Sequence, residues 1–141
     1  MEASPPSSPV SATASHPRSA SRSVWYWWLV AVSTIGTLDI AQFLASNSGM
    51  FSSAPSRAAG SVLGLICWVG LTALAGLAAI GHRPSWLRHS LLALAVLVAV
   101  GSLGLTAIHA AAHVGGLRPA LGGVISLIAL GLTVVALRRP A

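Results

Sequence analysis

The chain has 141 residues, of which 55% are hydrophobic and only 7% charged, with a mean hydropathy of +0.80; a soluble domain is about a quarter charged, so a water-soluble fold of this composition could not cover its own surface. The net charge of +6 does not point to nucleic acid, because a binder of nucleic acid clusters its basic residues on a solvated face, whereas these sit at the ends of apolar runs. A single cysteine, Cys67, excludes an internal disulfide, so pairing says nothing of the redox compartment.

Taken in chain order, residues 1–23 are rich in Ser, Pro and Ala without apolar periodicity, and are expected to be a disordered tail because they cannot bury enough surface to offset the entropy of ordering. A first membrane span follows at about 24–46, opened by Trp25, Tyr26, Trp27 and Trp28, whose amphipathic rings favour the headgroup region and suggest an interface anchor. Its apolar stretch exceeds the roughly 7 to 15 residues of a secretory signal and carries Asp39, so it is read as a retained span. The second span, at about 59–81, comes after a polar loop with Asn47, Pro55 and Arg57. A short basic loop with His82, Arg83, Arg88 and His89 leads to the third span at about 90–113. Only Val114-Gly115-Gly116 separates it from the fourth at about 117–137, so the last two spans form a tight hairpin, with Pro119 where a first helical turn tolerates a missing N–H. The pattern predicts an all-α integral membrane four-helix bundle with a disordered N-terminal tail.

Arginine positions set the expected orientation. Arg18, Arg22, Arg83, Arg88, Arg138 and Arg139 lie on one face, and only Arg57 and Arg118 on the other. Short Arg-rich loops are retained in the cytoplasm, so both termini, residues 138–141 included, are expected there, in a multi-pass protein of the plasma membrane. The basic middle loop is read as a solvated topology determinant.

Helices in lipid gain little from hiding apolar side chains and associate through small residues and interhelical hydrogen bonds. Two small-residue stripes are therefore candidate packing faces: Gly60 with Gly64 on the second span, and Gly122, Ser126, Ala129 and Thr133 on the fourth. Polar residues inside the spans form the candidate site. Asp39, at a depth where an unpaired carboxylate costs roughly 2.5 to 3.5 kcal/mol, shares a face with Gln42. Ser102, Thr106, His109 and His113 share a face of the third span. Asp39 and His109 fall at similar depth and are expected to pair, which makes Asp39, Gln42, His109 and His113 one polar cluster. A proton-coupled path through Asp39 is an alternative, as intramembrane ionisable groups are functional candidates. A metal held by Asp39, His109 and His113 is another, since imidazoles four apart on a helix can share an ion. No second carboxylate or cysteine lies at that depth, so neither metal nor cofactor is expected. No phosphate loop, nucleophile elbow or His-Glu-x-x-His motif supports an enzyme.

The layout of four spans, an Arg-flanked middle loop and a tight final hairpin resembles the uncharacterised small four-span membrane proteins of high-GC Gram-positive bacteria. The resemblance rests on spans and loops, not on a motif. Four short spans with one carboxylate in the first are also similar to small multidrug-resistance transporters, but here the carboxylate is Asp39 rather than a glutamate and lies nearer the outer end. The expected function is non-enzymatic: association within the lipid bilayer with itself, as a homo-oligomer, or with a membrane-protein partner.

Overall fold

The computed structural model of the chain describes residues 18–111 and 117–138. Most of the expected tail, His113 and residues 139–141 lie outside the described residues. Within them the chain is helical: α1 (Arg18–Ser46), α2 (Met50–Ser53), α3 (Pro55–Ala79), α4 (Ser85–Ala111) and α5 (Leu117–Arg138). The four long helices are each long and apolar enough to cross a membrane. The shortest, α5, has 22 residues, or about 33 Å at 1.5 Å per residue, against a hydrocarbon core of about 30 Å. The protein is thus an all-α bundle of four membrane-capable helices.

Prolines and a glycine set the element boundaries. α1 begins at Arg18, ahead of the expected position 24, because the sequence from Arg18 to Val24 holds neither Pro nor Gly to interrupt it. α3 begins with Pro55 in its first turn, where the missing N–H would have been unpaired in any case. Its other end closes on Gly81, at φ +93°. There the His82 N–H donates to the Leu77 carbonyl at 3.0 Å and the Gly81 N–H to that of Ala78 at 3.2 Å, the paired bonds of a Schellman cap, which needs the left-handed conformation only glycine adopts freely.

The end of the bundle where α1 begins and the loop at residues 80–84 turns is called proximal here, and the opposite end distal. Around the bundle the order is α1, α3, α4, α5 and back to α1; among the described residues no Cα atom of α1 lies within 8 Å of one of α4, nor any of α3 within 8 Å of one of α5. Side chains from the loop tie the proximal end. Arg83 Nε donates to the Ala78 carbonyl at 3.2 Å, Ser23 Oγ to that of Ala79 at 3.1 Å, and Arg88 Nη2 to that of Leu137 at 3.5 Å. These donors meet carbonyls that a helix C-terminus leaves without intrahelical partners. Arg83 also lies 5.1 Å over the ring of Tyr26. Of the aromatic residues expected to form an anchor, Tyr26 is buried, while Trp27 and Trp28 are exposed, as is Trp86 beside the loop.

The core is proximal. It joins Leu29, Leu71, Ala75, Ala78, Leu87, Leu91, Ala95, Ala129 and Ala136, with small residues letting the backbones approach closely. Three fully buried hydroxyls sit among them, and each bonds its own helix: Ser33 to the Leu29 carbonyl at 2.7 Å, Ser126 to Gly123 at 2.7 Å and Thr133 to Ala129 at 2.8 Å. They pack as small groups whose hydroxyl needs are met locally. Toward the distal end burial stops. No described side chain is buried beyond Gly36 on α1, beyond Ala99 on α4, or ahead of Gly123 on α5, and on α3 only Ala58 is buried ahead of Cys67.

Candidate functional site

The distal half, lacking a packed core, encloses a cavity of about 320 Å³ bordered by all four long helices. Its floor is Cys67 and Trp68 on α3 with Val98 on α4. Cys67 stands at the middle of the 25 residues of α3, and Val98 at the middle of the 27 of α4, so the cavity reaches half-way through the bundle. Glycines make the space: Gly60, Gly101 and Gly122 border it, and a Cβ at any of them would meet no heavy atom within 4 Å. Leu63 and Leu97, which also line it, are 58% and 53% exposed. The cavity is therefore open on the flank between α3 and α4.

At its distal rim stands the ion pair of the spanning region. Arg118 Nη2 lies 3.1 Å from Asp39 Oδ1, donates also to the Asp39 backbone carbonyl at 3.1 Å, and its guanidinium carbon sits 5.4 Å from the centroid of the Phe43 ring. One side chain at the start of α5 thus grips α1 by a carboxylate, a carbonyl and an aromatic face. Side chains of Arg118 and Asp39 are 47% and 40% exposed, so the Coulombic part is of the order of 1 kcal/mol or less by comparison with exposed pairs. The larger effect is that Asp39 does not stand alone in a span.

The expected cluster leaves Arg118 out. Asp39 bonds Arg118, carried to it by α5, the neighbour of α1. Gln42 is exposed. His113 and the side chain of His109 lie outside the described residues. Among the described residues no group of three His, Cys, Asp or Glu is placed to hold a metal. On the same face of α4, Ser102 lines the cavity, and Thr106 Oγ1 lies 2.8 Å from both the Ser102 carbonyl and the Pro119 carbonyl, joining α4 to α5.

Of the expected packing residues, Ser126 is fully buried and Gly64 allows ordinary contact with Ile40, 3.4 Å from where its Cβ would stand. Gly60 and Gly122 border the cavity rather than a helix contact, and the close approach on α5 is made one position on, at Gly123, whose Cβ would stand 3.1 Å from Thr106 Oγ1. The closest approach made at any described glycine lies outside these stripes: Gly36 lies against the indole of Trp68. A glycine in mid-span and a tryptophan thirty-two positions later are a small-large pair of the kind that could have been sought.

No protein-family model matches the chain, no curated protein matches it, and no solved structure matches it.

Proposed function

We propose that the chain is a small, non-enzymatic multi-pass protein of the plasma membrane that works by association with itself or with a larger membrane assembly. The observation that supports this is the distal part of α4 beyond Ala99, which buries no described side chain and exposes Gly101, Gly104, Ala107 and Ala111. Lipid makes no demand for small side chains, whereas a second helix does. The four lie at spacings of three, three and four, so they share one face. The six-to-two distribution of arginines places both termini in the cytoplasm in this reading, with the cavity in the outer leaflet. Asp39 then serves to hold the start of α5 on α1, which sets this reading apart from a proton carrier.

The test is purification in mild detergent, with molar mass from light scattering and identification of co-purifying proteins. The parent should run as an oligomer or with a membrane partner, and Gly104→Leu should release it. A parent that runs as a lone single copy, in detergent and in nanodiscs alike, would overturn the reading.

A further inference from the structure

We infer that the distal cavity holds one hydrocarbon chain of a bilayer phospholipid, entering from the lipid between α3 and α4. This does not rest on the association reading. Its dimensions select the occupant. From Gly60 to Trp68 on α3, and from Leu97 to Leu105 on α4, the cavity wall runs eight residues, or about 12 Å at the helical rise. That length is about half of the roughly 30 Å hydrocarbon core of a bilayer, and the cavity ends there on Trp68 and Val98. A partner helix crossing the whole core would run into that floor, whereas a hydrocarbon chain of a single leaflet ends at that depth.

The chemistry of the wall agrees. Ile40, Leu63, Gly64, Leu97, Val98 and Leu105 present hydrocarbon or bare backbone to the cavity, and an apolar space of this kind stays dry and takes apolar occupants. Leu63, Leu97 and Leu105, at 58%, 53% and 56% exposed, continue the wall onto the outer surface of the bundle, where lipid tails lie. The charged groups gather at one end: Arg118 and Asp39 stand at the distal rim, nearest the headgroups, and Trp68 closes the deep end. A chain anchored by its ester and head at the rim and running inward matches that polarity along its whole length.

Trp68 gives a direct readout, because it alone of the five tryptophans lines the cavity. The full-length chain carrying Trp25→Phe, Trp27→Phe, Trp28→Phe and Trp86→Phe leaves Trp68 as the one indole fluorophore. It is reconstituted in vesicles of phosphatidylcholine brominated at mid-chain, and separately in the unbrominated lipid. Bromine quenches indole at contact range, so Trp68 emission should fall at least twofold in the brominated vesicles. Gly60→Leu and Gly101→Leu, each added to that background, fill the space in which a Cβ meets nothing and improve helix propensity, and either should restore at least half of the lost emission. Gly104→Leu, outside the cavity, should restore none. Helical circular dichroism equal to that of the parent certifies each variant as folded. Unquenched Trp68, or quenching that persists undiminished in both folded cavity-filling variants, overturns the proposal. Loss of oligomers in Gly104→Leu with quenching intact would leave it standing and bears only on association.

Discussion

Replacing Gly36 by alanine tests the packing at the junction between the proximal core and the cavity. The new methyl carbon would stand 2.7 Å from Trp68 Cε2 and 2.8 Å from Cδ2 and Cε3, where two carbons prefer about 3.5–4.0 Å. The obstacle is a ring rather than the end of a flexible chain, and it is 3% exposed, so either the indole moves toward the cavity or α1 and α3 separate. Overpacking of this kind costs about 1–3 kcal/mol, and exchanging glycine for alanine inside a helix returns about 1 kcal/mol. Gly36→Ala should therefore be destabilised by about 1 kcal/mol. Gly131→Ala, exposed and with no atom within 4 Å of its Cβ, should match or exceed the parent. Unfolding followed by circular dichroism in mild detergent measures both. The difference between them, about 1–3 kcal/mol, is the steric term alone, and it should vanish in a Trp68→Leu background. Equal stability of Gly36→Ala and Gly131→Ala with Trp68 present would refute the reasoning.

Asp39→Ala and Arg118→Ala should each destabilise, and the double variant should cost less than their sum by about 0.5–1 kcal/mol, since half-exposed partners couple weakly; strict additivity in a double-mutant cycle would show that the pair does not act as one. Ser126→Leu, at a fully buried position, should cost about 1–3 kcal/mol by overpacking, while Leu127→Ile, 48% exposed at the next position, should unfold with the parent. Reporter fusions after Arg138 and within the loop at Arg83 should read as cytoplasmic and one at Ser52 as external, and an external C-terminus would reverse the proposed orientation.

The spans were legible in the sequence because hydropathy is a local property. The fourth was expected at 117–137 and runs Leu117–Arg138; the second and third begin four and five residues before the expected 59 and 90, at Pro55 and Ser85, since a helix continues into polar residues until its backbone is stopped. Which helices are neighbours was not legible. Depth along a span makes Asp39 and His109 comparable, but depth carries no azimuth, and nothing in the sequence says that α5 stands beside α1. Arg118 was counted as a flanking charge of the outer face; its reach along the start of α5 to the lone spanning carboxylate is a tertiary fact. The close approach of Gly123 to Thr106, one residue from Gly122, likewise depends on a helix rotation that a spacing rule does not resolve.

The partner of Asp39 is 79 residues later in the chain, and that separation has a consequence for biosynthesis. At about 5–20 residues per second, roughly 4–16 s pass between synthesis of the carboxylate and synthesis of its guanidinium. During that interval α1 carries a charge whose cost in a span is about 2.5–3.5 kcal/mol, held in place only by the apolar remainder of the helix and its pairing with α3. The last helix to emerge both closes the ring of helices and neutralises the first. A chain arrested before Leu117 would keep three long apolar helices and a carboxylate without the guanidinium that answers it.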